Sequence, residues 1–498
     1  MKSTPKSQSA SAVSRREFLK SIAAGTAAAC APAFLRSPLA GAAAAPDVSA
    51  PTNFGRMFRL PPFAPTTNAV REALLEIGRA GGIMDADDDL EAGPVNLITD
   101  ATLRENNPDN SSHTAGVTFF GQFLDHDVTF DSRSRLGFPT QPVRSPNART
   151  PFFDLDSVYA GGPSGSPKLY EPTDSVKLIV ESGGKFEDLP RDSVTKAAFI
   201  GDPRNDENLI IAGLHAAFLK FHNHAVDLVR AENPSVSAAD AFEDARRLTT
   251  WHYQWIIVHE FLPSVAGRDV VEDVFANGRK FFNPRRDEAF IPVEWQIAYR
   301  FGHSMVRPSY RANMKGDANG EPFFAMIFDP AGEGQEDPVD LRGGARAPRR
   351  FIGWQTFFDF GGTFTEDAKT NKRIDTKVST PLFRLPLGAI ASGAPPVSLM
   401  QRNMLRHLTW QIPSGQRIAR EIGAPLLSSN DLSELRSILP SLADSTPLLY
   451  YVLKEAHVMR NGQHLGPTGA RIVTEVFIGL LQLDPHSYLN LAPNWRPT

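Results

Sequence analysis

The chain has 498 residues, of which 22% are charged and 41% hydrophobic, with a formal net charge of −4. These values suit a globular protein able to bury a large core, and with no dense basic run they exclude the electrostatic footprint of nucleic-acid binding. Its 40 prolines imply many stiffened connections between elements.

In chain order, Ser14-Arg15-Arg16-Glu17-Phe18-Leu19-Lys20 precedes a weakly apolar, alanine-rich stretch and then Pro38-Leu39-Ala40, a small-residue cleavage sequence. Residues 1–40 resemble a twin-arginine export signal. That implies the twin-arginine export machinery as a partner and a periplasmic or extracellular destination. Losing them removes six Lys/Arg and one Glu, a net +5, and takes the charge from −4 to −9. The only cysteine, Cys30, lies in the same stretch. The exported chain is therefore expected to hold no disulfide, thiolate-ligated iron or iron–sulfur cluster. Nothing beyond residue 40 is apolar for long enough to predict a stable membrane span.

Residues 41–108 read as a loop-rich segment with one amphipathic helix over 68–79. Residues 109–498 read as a single large, mainly α domain with long loops and minimal β structure, because two-residue alternation is nearly absent. Apolar periodicity predicts helices over 114–127, 209–230, 238–262, 292–306, 400–408, 432–438, 447–454 and 469–481. Their apolar stripes specify core; the informative positions are those where polar groups break the stripe.

The densest break is Gly121-Gln122-Phe123-Leu124-Asp125-His126-Asp127-Val128-Thr129-Phe130. On a helix Gln122 and His126 share a face, with Asp125 displaced to one side and Asp127 to the other, so one segment can serve two sites. An acidic loop follows, Thr150-Pro151-Phe152-Phe153-Asp154-Leu155-Asp156-Ser157-Val158-Tyr159. Next comes Gly201-Asp202-Pro203-Arg204-Asn205-Asp206-Glu207-Asn208, a polar loop whose acidic residues suit the N-terminal end of the helix it opens. In Ala298-Tyr299-Arg300-Phe301-Gly302-His303-Ser304-Met305-Val306-Arg307-Pro308 a histidine interrupts an apolar helix that the proline stops. Last is Gln401-Arg402-Asn403-Met404-Leu405-Arg406, with Pro413 ten residues after the asparagine.

These five segments, in this order, resemble the animal-type haem peroxidases of the peroxidase–cyclooxygenase superfamily, over roughly residues 114–413. The resemblance implies haem b as cofactor, with His126 as the distal acid–base group, Arg204 as the catalytic arginine and Gln122 ordering water or halide. It makes His303 the proximal iron ligand, Asn403 the acceptor for that ring's second nitrogen, and Arg406 a partner for a haem propionate. Asp125 and Glu207 occupy the positions that form ester bonds to haem methyl groups. Asn208 stands where a methionine would be needed for a further sulfonium link, so none is expected. Asp127, Thr150, Asp154 and Asp156, with the Phe152 carbonyl, match the family's calcium site, a set of hard oxygens such as that ion requires. His407-Leu408-Thr409 departs from the arginine-aspartate-histidine stretch of the vertebrate enzymes.

The expected function is then reduction of hydrogen peroxide through an oxoferryl intermediate, with oxidation of halide, thiocyanate or small aromatic donors. Two alternatives stand beside it. A fatty-acid dioxygenase of the same superfamily needs a tyrosine three residues before the proximal histidine; that position is Arg300, and Tyr299 lies about 100° away around a helix. A non-catalytic exported haem- and calcium-binding protein would not need His126, Arg204 and Asn403 together.

Overall fold

The computed structural model describes residues 52–497 except 132, 183–185, 286–287, 317–319, 345–346, 366 and 391. The export signal read over residues 1–40 lies outside the described residues. Helices dominate, as expected. Helix α1, Asn68–Ile77, starts where the Thr67 side chain accepts from the Val70 amide and buries Val70, Ala73, Leu74 and Ile77 on one face. The stretch read as loop also holds a short α2, Gly93–Thr99, opened by Pro94 at a first-turn position where a missing N–H costs nothing.

Helix α3, Gly116–Val128, is buried along almost its whole length, and only Gln122 and Asp125 are partly open. It packs on α4, Leu209–Glu232, whose N-terminus is capped by the Asn208 side chain accepting from the Ile210 and Ile211 amides. Helix α4 pairs in turn with α5, Ala238–Ile256. The chain does not stop near residue 262 as expected: α5 runs into a π-helical turn, Ile257–Phe261, and then a short helix to Ala266. Pro263 explains the widened turn, since it donates no hydrogen bond and its ring crowds the carbonyl four residues back.

The helix expected over 292–306 is two objects. Residues Val293–Ala298 are α6, and Tyr299–Met305 form a tighter 3-10 helix. In a 3-10 helix residues three apart eclipse one another, so Arg300 and His303 project the same way. Tyr299 turns elsewhere, packed flat on Trp295 at 4.6 Å, its hydroxyl donating to the Gly121 carbonyl at 3.0 Å. A Cβ at residue 121 would lie 3.1 Å from the Phe261 ring and 3.4 Å from the Tyr299 hydroxyl, so glycine there permits this close approach.

Helix α7, Leu399–Thr409, packs against α1, and Gln401 donates to the Leu75 carbonyl at 2.9 Å. The N-terminal segment is thereby fastened to the helix that carries Asn403. Helices α8, Leu448–Arg460, and α9, Pro467–Leu483, pack on each other and on α6. The helix expected over 432–438 is a 3-10 turn, Ser433–Ser437; the stretch before Pro440 is too short to nucleate an α-helix. Strands form five two-stranded antiparallel ribbons among the described residues. One contiguous apolar core joins α1 and α3 to α9.

Candidate active site

The last turns of α3 carry His126 into the interior. Its Nδ1 lies 2.9 Å from Asn205 Oδ1, while Asn205 Nδ2 lies 3.0 Å from His215 Nδ1. An amide nitrogen can only donate, so Asn205 gives its hydrogen to His215 and its oxygen to His126. The proton of His126 therefore sits on Nδ1, and Nε2 keeps a lone pair. Burial, with the neighbouring Arg204 cation, pushes the His126 pKa down to about 4, leaving a neutral base.

Glu207 approaches Nε2 of His126 to 4.0 Å. Gln122 ties α3 to the loop that carries Arg204, donating to Glu207 Oε2 at 3.1 Å and accepting from Asn208 Nδ2 at 3.2 Å. Burial raises the Glu207 pKa to about 8, against the pull of Arg204. Arg204 itself is held by the Asp202 carboxylate at 2.8 Å and by the carbonyls of His126 and Thr129, with its guanidinium 4.8 Å from the Phe130 ring centre. Asp125 Oδ2 is 3.9 Å from Arg204. Arg204 thus reaches His126 through its backbone and its field, not its ring.

Across the interior, His303 meets Asn403 as expected, but by the other end of the amide. Arg300, which can only donate, takes Asn403 Oδ1 at 2.7 Å, leaving Nδ2 to face His303 Nδ1 at 2.8 Å. The expected acceptor role of Asn403 is therefore filled toward Arg300, because the 3-10 turn sets Arg300 and His303 on one side. Burial, then Arg300 and His126, lower the His303 pKa to about 3, so the two imidazoles are near enough to share a field. Arg406, expected beside a propionate, is paired with Asp131 Oδ2 at 2.7 Å. Arg300, Arg402 and Arg406 still form a cationic group: burial, then Arg406, bring the Arg300 pKa down to about 10.

The acidic loop closes on α3 from behind. Asp127 is fully buried and accepts from the Leu155 amide at 3.0 Å, the Ser157 hydroxyl at 3.0 Å and the Tyr253 hydroxyl at 3.1 Å. Thr150 Oγ1 donates to Asp154 Oδ1 at 2.9 Å, and the Thr150 amide to Asp156 Oδ2 at 3.0 Å. Phe152, half-buried, packs against the core within the same loop. Leu155 sits at φ 61°, a left-handed conformation rare for a branched side chain and characteristic of functional loops. One oxygen from each of Asp127, Asp154 and Asp156 lies within 4.8 Å of the others. Burial and mutual repulsion push Asp127 up to about 7, burial pushes Asp154 up to about 6, and both causes raise Asp156 well above the carboxylate range.

Residues 131–340 match the animal haem peroxidase family. That stretch contains the acidic loop, Arg204, Glu207 and His303; His126 lies before it and Asn403 after it. Thyroid peroxidase of Mus musculus is 25% identical over 223 residues, covering 41% of this chain and 24% of its own length. Eosinophil peroxidase of Homo sapiens is 25% identical over 313 residues, covering 46% of this chain and 42% of its own. The chain thus spans less than half the length of these relatives. Among solved structures, peroxidase A from Dictyostelium discoideum superposes with a TM-score of 0.61 at 17% identity, covering 89% of both chains. A fatty acid alpha-dioxygenase from Arabidopsis thaliana gives 0.55 at 14% identity, covering 88% of this chain and 73% of its own. The mainly α fold is the one these structures share.

The animal haem peroxidase family implies a haem cofactor, and the residues present fit one. His126 donates from Nδ1 and keeps the Nε2 lone pair, His303 has its Nδ1 engaged with the opposite polarity by the Asn403 amide nitrogen, and the two rings sense each other. Arg300 Nε is buried with no hydrogen-bond partner among the described residues, as a group awaiting a carboxylate would be. Asp156 Oδ1, likewise buried without a hydrogen bond and 3.6 Å from Arg149, marks the carboxylate cluster as suited to a cation. Sequence reasoning passed over Asn205, although it adjoins Arg204 in a segment already singled out. It also gave Arg300 no contact, although its spacing from His303 was visible.

Proposed function

We propose that the protein is a haem-dependent peroxidase that reduces hydrogen peroxide and oxidises halide, thiocyanate or a small aromatic donor. The observation that carries this reading is the His126–Asn205–His215 chain, which fixes a neutral imidazole with a bare Nε2 in a buried site within electrostatic reach of His303. His303 would hold the haem through Nε2, with Asp125 and Glu207 at its edge and Arg300 and Arg406 toward its carboxylates. Bound haem would supply the iron that takes peroxide and the electrons that reduce it. Ligation through Nε2 requires the proton of His303 on Nδ1, so Asn403 must then offer its oxygen to that ring.

His126 Nε2 accepts a proton from one peroxide oxygen and returns it to the other, so that water leaves. Asn205 holds the imidazole in the tautomer that can do this. Gln122, fixed between Glu207 and Asn208, presents its amide beside that proton path, and burial, helped by Arg204, keeps His126 uncharged until the proton arrives. The dioxygenase reading gains nothing from Tyr299, whose hydroxyl is spent on the Gly121 carbonyl. The twin-arginine pattern supports work outside the cytoplasm.

The test is to reconstitute the full chain with haem and record its absorption and its peroxide-dependent oxidation of iodide and guaiacol. A haem complex inert toward both donors, yet consuming oxygen with a fatty acid, would replace this reading with the dioxygenase one. The pH profile follows from His126. Its pKa is lowered from the ordinary 6.5 to about 4, so the ring is an unprotonated base from neutrality down through about pH 5 and protonates toward pH 4. The rate constant for peroxide reduction in stopped flow should hold over that range and fall below it; a midpoint at the ordinary histidine value would show that His126 is not held neutral.

We also propose ester links from Asp125 and Glu207 to the haem. Acidic acetone should then leave the haem on the wild-type chain and extract it from an Asp125→Ala/Glu207→Ala double variant. Complete extraction from the wild type would leave no ester bond to explain.

A further inference from the structure

We propose that the loop over residues 133–144, which follows α3, docks the protein on a membrane surface rich in anionic lipid. The inference does not depend on the peroxidase reading. It starts from charge. The chain carries a net −4, yet residues 132–153 hold four arginines and no Asp or Glu. Arg149 is spent on Asp202 and Asp156. Arg133, Arg135 and Arg144 are exposed, and among the described residues none of them forms an ion pair. Asp131, the carboxylate next to the loop, has its side chain 3% exposed and is taken by Arg406 at 2.7 Å, so it does not cancel them.

Two large apolar side chains stand among these cations. Phe138 is 43% exposed and Val143 63%, with the exposed Pro139 between them. The loop is pinned along its inner side. The Gly137 and Thr140 amides donate to Thr409, at the end of α7, at 2.7 and 2.8 Å, and the Phe54 amide donates to the Ser145 carbonyl at 3.0 Å. Arg71 of α1 adds a further tie, to the Gly137 carbonyl at 2.6 Å. Between these pins the 3-10 turn Pro142–Arg144 presents Val143 and Arg144 to solvent.

The Arg135 guanidinium lies 3.9 Å from the centre of the Phe138 ring, and that of Arg71 5.1 Å. The ring can therefore sink to the boundary of the acyl chains while the charges beside it stay level with the lipid phosphates. Anionic lipid attracts such cations through its surface potential, and the apolar side chains add burial. A stable protein interface buries about 800 Å² on each partner. This rim offers instead single apolar side chains set five residues apart, which a fluid surface can close around. The contact is peripheral: no described helix is long and apolar enough to cross a membrane.

The experiment measures binding of the full chain by co-sedimentation, with vesicles of phosphatidylglycerol and phosphatidylcholine in equal parts against phosphatidylcholine alone. The mixed vesicles should bind about a hundredfold tighter, and salt raised from about 0.05 M to about 0.5 M should release the protein. The triple variant Arg133→Gln/Arg135→Gln/Arg144→Gln should weaken binding to the mixed vesicles about a hundredfold, near fivefold for each arginine. Phe138→Ser/Val143→Ser should weaken it about tenfold. Residues 1–40 are the same in all these chains, so the differences read the loop. A local measurement accompanies them: Val143→Cys in a Cys30→Ser background, labelled with nitrobenzoxadiazole, should brighten and shift to the blue on the mixed vesicles. Equal binding to both vesicles, a triple variant that binds like the unaltered chain, an unmoved probe, or binding to polyglutamate without binding to vesicles would each overturn the proposal, the last in favour of an acidic protein partner. The lipid and salt comparisons on the unaltered chain stand even if a variant misfolds.

Discussion

Replacing His126 with Ala is expected to slow peroxide-dependent donor oxidation by about 10²–10⁴-fold, the usual contribution of one placed acid–base group, while haem stays bound. The loss follows from the tautomer. Nδ1 is committed to Asn205 Oδ1 at 2.9 Å, and the pKa of about 4 leaves Nε2 unprotonated, so one nitrogen can both take and return a proton. Alanine removes that nitrogen and leaves His303 and its partners untouched. Asn205→Leu separates the base from its support: it keeps the imidazole but frees the ring to adopt either tautomer. Its effect should be smaller, about 10–100-fold as for other lost orienting partners, and should move the acid limb of the pH–rate profile. Wild-type peroxide reduction in the alanine variant, followed by stopped-flow absorbance, would remove His126 from the reaction.

Local patterns made much of this legible. The break at Gln122, Asp125, His126 and Asp127 on an otherwise apolar helix, and the proline that stops the chain after Met305, are written in consecutive residues. The bonds that decide chemistry are not. Asn205 lies 79 residues from His126, and nothing local to the loop says which ring its oxygen will face. The helical reading of 292–306 already set Arg300 three residues from His303, but nothing local says that its guanidinium will take the oxygen of Asn403, 103 residues further on. Arg406 shows the same limit. A carboxylate partner was foreseeable for a buried guanidinium, but Asp131 could be recognised as that partner only once the loop after α3 was in place.

Calcium removal is the second large effect expected, and its sign depends on pH. We propose that Asp127, Asp154 and Asp156 hold calcium with Thr150 and the Phe152 carbonyl. In the metal-free protein the Asp127 and Asp154 pKa values stand at about 7 and about 6, above the value of roughly 3.9 in an unfolded chain. Between those limits the folded state binds more protons than the unfolded one, so metal-free stability is highest in acid and falls as pH rises toward 7. Calcium answers the same charge that the protons neutralise. Chelation should therefore cost little at pH 5, where protons compete with the metal, and lower the Tm by a few degrees at pH 8, where calcium at a hundred times its Kd contributes about 2.7 kcal/mol. Because Asp127 adjoins His126 at the end of α3, chelation at pH 8 should also shift the haem absorption. Equal Tm values with calcium and with chelator at pH 8, after metal analysis confirms removal, would leave the three carboxylates a buried repulsion that something other than calcium must relieve.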